Sequence, residues 1–157
     1  MEIRNAIVSD VPAIYTLISA YAQLDRMLFR SHADIYESLQ QFKVVIDSEK
    51  VIACCALQVI WADLAEIKSL SVDKSFAGKG IGKQLVAAHL ADARELGLQK
   101  VFTLTLEPGF FEKIGFKIVS KDELPMKVWS DCAKCPKQDQ CDEIAMIYEL
   151  DAGSSPA

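Results

Sequence analysis

A strand-like segment, a glycine-rich turn and a long amphipathic helix follow one another in the middle of the chain. The turn carries three alternating glycines, Gly78, Gly80 and Gly82. Glycine allows positive φ angles and lets a ligand approach the backbone closely. Free N–H groups at the start of a helix, with the helix dipole behind them, attract anions. Lysines 74, 79 and 83 add positive charge. The segment therefore predicts a site for a diphosphate.

The glycine spacing differs from those of two common phosphate-binding motifs. It differs from the G-x-G-x-x-G of dinucleotide-binding folds, and no G-K-[ST] of a P-loop follows. A flexible glycine turn that binds nothing is the alternative interpretation.

Two segments resemble the GNAT superfamily of acetyltransferases. Leu70 to Gly82 resembles motif A, with the signature Q/R-x-x-G-x-G/A, and Phe110 to Phe116 resembles the family's F/Y-Y-E-K-x-G-F segment. The resemblance implies an α/β GNAT fold, in which helices flank a mixed, mostly antiparallel sheet, and acetyl-CoA as co-substrate. It also implies that the turn amides hold pyrophosphate and the preceding strand holds pantetheine. The implied CoA-binding residues are Leu70, Ser71, Val72, Ala77, Gly78, Lys79, Gly80, Ile81, Gly82, Lys83 and Phe111. Ala77 stands at the Q/R position, so one side-chain contact of the family is absent.

Phe111 is the second departure from the family pattern. Many members place a tyrosine here, which protonates the leaving CoA thiolate. Phenylalanine cannot donate a proton, so either another group is the acid or the thiolate leaves unassisted. A thiol pKa of about 8.5 makes the second route feasible. We interpret Phe111 as a packing residue beside CoA.

Glu66 lies on the strand that enters the turn, and strand alternation places Glu66, Lys68 and Leu70 on one face. In the resembling family a glutamate on this strand deprotonates the substrate ammonium, commonly through water. Glu66 is therefore the candidate catalytic base. A surface charge paired with Lys68 is the alternative.

The acceptor is suggested by a closer resemblance to short amino-acid N-acetyltransferases, notably N-acetylglutamate synthase. Met27 to Ser31, Glu66 to Leu70 and Leu124 to Trp129 carry it. An amino-dicarboxylate needs cations, and the candidates are Arg30, Lys68 and Lys127; each could instead be a solvated surface charge. The resemblance predicts acetylation of the α-amine of L-glutamate, in arginine biosynthesis, with the N–H of Val72 polarising the thioester carbonyl. Two alternatives stay open: another amine acceptor (a protein lysine, a protein N-terminus or a polyamine), or a non-catalytic acyl-CoA-binding or metal-sensing module.

Cysteine and histidine residues provide weaker signals. Cys132, Cys135 and Cys141 form C-x2-C-x5-C, but a structural zinc site needs four ligands. A partial metal site, a redox-active pair and free loop thiols are all compatible with that spacing, so any metal is unknown. His89 lies on the apolar face of the central helix, which favours a core histidine that is hydrogen-bonded to a neighbour such as Asp92.

Length, net charge and cysteine content indicate the class of protein that carries these sites. The 157 residues suit one domain, which we expect to cover residues 1–150, with a disordered tail at 151–157. The net charge of −5 argues against a nucleic-acid partner. No apolar segment is long enough to span a membrane, and the N-terminus does not resemble a signal peptide. An odd number of cysteines favours the cytoplasm. A small-molecule amine is the expected partner, and a homodimer is left open.

The elements that must position these residues follow from periodicity and turn signals. Strands are predicted at Glu2–Val8, Lys43–Asp47, Val51–Trp61, Leu64–Val72, Lys100–Leu106, Phe116–Ser120 and Glu143–Leu150. Helices are predicted from Asp10 to about Leu24 and at Ala33–Gln41, Ile81–Leu96 and Pro108–Ile114.

Overall fold

The computed structural model describes residues 1–24, 27, 29–124 and 143–150. The strands within these residues are β1 (Glu2–Asn5), β2 (Phe42–Asp47), β3 (Lys50–Trp61), β4 (Leu64–Val72), β5 (Lys100–Thr105), β6 (Lys117–Ile118) and β7 (Ile144–Glu149). The α-helices are α1 (Val11–Gln23), α2 (His32–Glu37), α3 (Ile81–Glu95) and α4 (Pro108–Ile114). The strand order is β1-β2-β3-β4-β5-β7-β6, with β4 and β5 parallel and the pairs β1/β2, β2/β3, β5/β7 and β6/β7 antiparallel. The predicted fold class is confirmed.

Several predicted elements are shorter than expected. The first strand ends at Asn5, because the Asp10 carboxylate accepts the Ile7 N–H at 2.8 Å and pairs with Arg4, which turns the chain into a 3₁₀ segment at Val8–Asp10. The second helix ends at Glu37, and a separate 3₁₀ turn follows at Leu39–Gln41. The strand expected at 116–120 is limited to the two residues of β6. The helix predicted to end at Leu96 ends at Glu95, and Leu96 is exposed.

The described chain forms two compact units. The first consists of Met1–Gln58 and Ile67–Asp92. Its core joins one face of α1 to α2 and the β2–β3 hairpin, through Val11, Ile14, Leu17, Ile18, Ile35, Phe42, Val44, Cys54 and Ala56. The hairpin turns at Ser48 and Glu49, which both have positive φ, so Lys50 already belongs to β3. That pair of left-handed residues matches the twist of a two-residue hairpin.

The second unit consists of Val59–Glu66 and the described residues from Ala93 onward. Leu64 to Glu66 pair in parallel with the start of β5, and β5 pairs antiparallel with β7. Its core includes Ile60, Leu64, Phe102, Leu124 and Ala145. None of the helices in the described ranges is long and apolar enough to cross a lipid bilayer.

Candidate active site

The glycine turn connects β4 to α3. Asp73 accepts the N–H of Ser75 at 2.9 Å and starts a 3₁₀ turn, and α3 begins at Ile81. Gly78 and Gly80 have φ angles of 77° and 78°, in the left-handed region that L residues rarely adopt. A β-carbon built at either position meets no atom within 4 Å. Backbone conformation, and not crowding, is therefore what requires glycine here.

The turn is open to solvent, as a diphosphate site must be. The first N–H groups of α3 have no acceptor within the helix, and the positive end of the helix dipole lies behind them. Lys74, Lys79 and Lys83 lie around the turn, and Ala77 is exposed at its start but brings no donor. The residues present fit a pyrophosphate that is bound by backbone amides and lysines.

The last residue of β4 has an unpredicted partner. The Tyr21 hydroxyl accepts the N–H of Val72 and donates to its carbonyl, both at 3.2 Å. The next residue, Asp73, donates its N–H to Ile52 on β3 at 2.8 Å. Successive strand residues face opposite sides, so the backbone groups of Val72 point away from β3. Tyr21 lies near the end of α1, 51 residues before Val72, and no local pattern in the sequence predicts this contact.

Ser69 interrupts the regular alternation of β4. Its φ is 59°, an uncommon value for a residue other than glycine within a strand. A left-handed residue between Lys68 and Leu70 interrupts the alternation on which their shared face was predicted, and that shared face stays a prediction. Ser71 is buried, and its hydroxyl lies 3.5 Å from the Met27 sulfur. Leu70 and Val72 are half-buried.

Arg30 lies within a network of side chains that we call the arginine cluster: Arg30, Asp34, Ser38 and Ser69. Its Nε donates to Asp34 at 2.7 Å, and its terminal nitrogens donate to Ser69 at 3.1 Å and to Ser38 at 2.8 Å. The guanidinium also lies 5.1 Å from the centre of the Phe42 ring. The side chain of Arg30 is only 10% exposed, and its charge is paired. It is therefore neither a solvated surface charge nor an uncompensated cation.

Lys68 acts on the same carboxylate. The hydrogen bond from Arg30 is the main cause that holds the pKa of Asp34 below its ordinary value, burial opposes it, and the charge of Lys68 adds to the lowering. Lys68 donates its own hydrogen bond to Gln58. Two of the three predicted substrate cations are thus brought together around Asp34. Lys127, the third, lies outside the described residues.

Glu66 and Phe111 both belong to the second unit and are both buried. Glu66 is 8% exposed and stands opposite Phe102 in the parallel ladder, so the surface-charge alternative is wrong. Phe111 is 5% exposed, and its ring lies 5.0 Å from Phe110 and 5.1 Å from Phe116 between centroids. Phe111 packs against its neighbours, and whether CoA lies beside it stays a prediction.

His89 is a core histidine, as predicted, but its partner differs. Its Nε2 lies 2.9 Å from the Cys55 carbonyl, whereas Asp92 pairs with Lys43 at 2.8 Å. Burial, the largest cause, lowers the pKa of His89 to about 4, so the ring is neutral at neutral pH.

The cysteines described by the structure are buried, which disfavours the thiolate form of both. Cys54 and Cys55 are buried free thiols, and burial raises the pKa of Cys54 to about 12. Cys132, Cys135 and Cys141 lie outside the described residues. Among the residues that the structure does describe, no three histidine, cysteine or acidic side chains are grouped to hold a metal ion.

Comparison with known proteins identifies the family. Residues 38–118 match the acetyltransferase (GNAT) domain. The chain is 43% identical to an uncharacterised N-acetyltransferase of Chlorobaculum tepidum, over 94% of this chain and 96% of that protein. It is 38% identical to an amino-acid acetyltransferase of Mycobacterium tuberculosis, over 84% of this chain and 77% of that one. The chain belongs to the GNAT acetyltransferase family.

A solved structure supports the same assignment. The N-acetylglutamate synthase of Neisseria gonorrhoeae, complexed with coenzyme A and N-acetyl-glutamate, superimposes with a TM-score of 0.87 at 26% identity. The match covers 95% of this chain but only 35% of that longer one. This protein is therefore an N-acetyltransferase with acetyl-CoA as its co-substrate, and the alternative of a non-catalytic module is wrong.

Proposed function

We propose that the enzyme acetylates the α-amine of a free amino acid, that L-glutamate is the acceptor, and that the reaction serves arginine biosynthesis. The observation that carries this proposal is the convergence of Arg30 and Lys68, which together outweigh the single charge of Asp34. A net positive neighbourhood favours an anionic acceptor and repels a polyamine. The name of the M. tuberculosis relative and the N-acetyl-glutamate bound to the N. gonorrhoeae enzyme support an amino-acid acceptor.

In this proposal the backbone holds the acetyl donor. The amides from Gly78 to Lys83 bind the pyrophosphate, with lysines 79 and 83 adding charge. Leu70, Ser71 and Val72 bind the pantetheine arm as an added strand would bind an edge. The N–H of Val72 polarises the thioester carbonyl, which then attracts the nucleophile.

The chemistry needs one base. Glu66 takes a proton from the substrate ammonium, directly or through water, and the neutral amine attacks the thioester carbonyl carbon. A C–N bond forms, the attacking nitrogen gives up a second proton to solvent, the C–S bond breaks, and CoA leaves as the thiolate. Phe111 cannot donate a proton, so we propose that the thiolate leaves without the family's tyrosine and is protonated by solvent.

Two further features belong to this proposal. The buried free thiols of Cys54 and Cys55 fit a reducing compartment, so we place the enzyme in the cytoplasm. A homodimer remains a prediction that sedimentation would test.

A panel of acceptors tests the assignment. The release of CoA from acetyl-CoA is measured with L-glutamate, L-glutamine, L-lysine and spermidine, and the highest kcat/KM is expected with L-glutamate. Arg30→Ala should raise the KM for glutamate by roughly 10- to 100-fold and leave the KM for acetyl-CoA unchanged. Arg94→Ala is the control, since Arg94 bonds to Tyr148 outside the arginine cluster. Equal rates with glutamate and glutamine would remove the glutamate assignment, and faster turnover of spermidine would reverse it.

A further inference from the structure

Asp34 occupies the side of Arg30 that a substrate carboxylate would use. Its two oxygens lie 2.7 Å from Nε and 3.4 Å from a terminal nitrogen of the guanidinium. That is the two-point contact by which arginine recognises carboxylates. Asp34, four residues after Arg30, thus supplies a carboxylate of the kind that the proposed acceptor carries.

The guanidinium has few donors left. It carries five N–H bonds. Its contacts with Asp34, Ser38 and Ser69 use four of them, which leaves one hydrogen on the nitrogen that bonds Ser69. A single N–H can be accepted by a carboxylate oxygen or by the carbonyl oxygen of a carboxamide. The remaining donor does not by itself distinguish glutamate from glutamine.

Charge must therefore distinguish glutamate from glutamine, and Asp34 weakens this distinction. Arg30 and Lys68 attract an incoming side-chain carboxylate, whereas Asp34 repels it. A carboxamide carries no net charge and experiences neither effect to first order. The side chain of Arg30 is only 10% exposed and that of Asp34 is 48% exposed, so solvent screens the charge of Asp34 in part but not fully. The negative charge of Asp34 acts against glutamate alone.

We infer that Asp34 is a selectivity residue, which partly neutralises Arg30 and so limits the preference of the enzyme for an acidic over an amide side chain. The inference rests on the proposed function, since it concerns the acceptor side of that same site. Asp34 acts by its charge beside Arg30, and we assign it no catalytic role.

Asparagine at position 34 isolates the charge. The backbone of Asp34 accepts the N–H of Ser38 at 3.0 Å and donates to the Ser31 hydroxyl at 3.1 Å, and a side-chain substitution leaves both bonds in place. The amide oxygen of asparagine can still accept from the Nε of Arg30. The variant Asp34→Asn thus removes one negative charge while retaining the shape of the cluster.

The experiment compares kcat/KM for L-glutamate and L-glutamine. In Asp34→Asn the ratio of glutamate to glutamine should rise about tenfold, mainly through the KM for glutamate, as expected when one unit charge is removed a few ångströms away. Glu37→Gln is the matched control, because it removes one exposed carboxylate from the same helix and should leave the ratio unchanged. In an Arg30→Ala background, Asp34→Asn should still raise the ratio, because the repulsion between Asp34 and the substrate carboxylate does not need Arg30. If the asparagine variant does not fold, Asp34→Ala replaces it with the same expected direction.

The outcomes separate the role of Asp34 from the identity of the acceptor. An unchanged or lower ratio in Asp34→Asn, or an equal shift in Glu37→Gln, would overturn the inference while the proposed function stands. Turnover of neither amino acid by the unaltered enzyme would overturn both. Equal use of the two amino acids by the unaltered enzyme, with a glutamate preference appearing in Asp34→Asn, would support the inference and remove the glutamate assignment.

Discussion

The glycine turn and the arginine cluster lie in the same compact unit but are built from different parts of the chain. The turn offers backbone N–H groups, exposed to solvent and shaped by two left-handed glycines. The arginine cluster offers side chains that hold one another: an arginine fixed by a carboxylate and two hydroxyls at 2.7 to 3.1 Å. One region is defined by φ angles and the other by partners.

This difference separates what each region can control. Backbone amides bind any ligand with the right anion, so the turn should determine affinity for the acetyl donor. Side chains carry charge and protons, so the arginine cluster and Glu66 should determine acceptor choice and turnover. Variants of the turn should therefore change donor binding, while variants of the side chains should change kcat or the KM of the acceptor.

The largest effect is expected at Glu66. Glu66→Gln removes the proposed base and should lower kcat by roughly two to four orders of magnitude at neutral pH. Activity should recover partly as pH rises, because the acceptor amine then loses its proton without help. We would compare the steady-state rates of the variant and the unaltered enzyme from neutral to alkaline pH, and measure acetyl-CoA binding by both. Wild-type turnover in the variant would show that a different group takes the proton.

The next effect is expected at Gly80. Gly80→Asp places a carboxylate where the pyrophosphate is proposed to bind, and acetyl-CoA affinity should fall by roughly 100-fold or more. Aspartate is among the residues that tolerate a left-handed conformation best, so the fold should survive. Gly109→Asp is the matched control, since that glycine has no positive φ and has open space at its β position. Calorimetric titration with acetyl-CoA measures both; a folded Gly80→Asp variant of unchanged affinity would contradict the assignment of the turn.

His89 on α3 bonds to the Cys55 carbonyl on β3, and the burial of its ring makes stability depend on pH. The folded state holds the His89 pKa at about 4, below the ordinary value of 6.5. Between these values the unfolded chain binds a proton that the folded chain does not, so stability falls as pH falls from about 6.5 towards 4. We expect this residue to account for about 2 kcal/mol of lost stability between about pH 7 and pH 5.

Denaturant unfolding at the two pH values tests this contribution. His89→Gln keeps an amide that can bond to the Cys55 carbonyl but cannot take up a proton in this range. The variant should therefore show a smaller loss of stability on acidification than the unaltered protein. An identical loss in both proteins would assign the pH dependence to other groups.

The same contrast explains what could be predicted from the sequence. The bounds of β4 and α4 agree residue for residue with the prediction, and so does the start of α3. Alternation, helical periodicity and glycine signals are local, so the sequence contains them directly. The turn is defined by the same kind of local signal, which is why the sequence alone locates it.

The arginine cluster depends on contacts that local patterns do not encode. Arg30 and Asp34 are four residues apart, but Arg30 precedes α2, so their pairing does not follow from a helical repeat. The left-handed Ser69 is not a glycine and gives no turn signal. Residue type and resemblance make Arg30 a candidate, whereas its charge balance depends on the tertiary contacts with Asp34 and Ser69.

The smallest expected effect is at Tyr21, whose side chain bonds to backbone groups at the end of β4. Its hydroxyl occupies both backbone groups of Val72, the groups that we propose for the donor's pantetheine arm. The pantetheine arm must then displace the Tyr21 hydroxyl. Each hydrogen bond that Tyr21 loses to Val72 weakens acetyl-CoA binding by the modest net free energy of one hydrogen bond. Tyr21→Phe removes that competition and should tighten acetyl-CoA binding by about 3- to 10-fold. Tyr15→Phe removes a hydroxyl from the same helix, on a ring that stacks against His32 at 3.8 Å, and should leave affinity unchanged. Weaker binding in Tyr21→Phe would show that the hydroxyl contacts the donor instead of making way for it, and Tyr21 would then be a candidate for the acid that Phe111 cannot be.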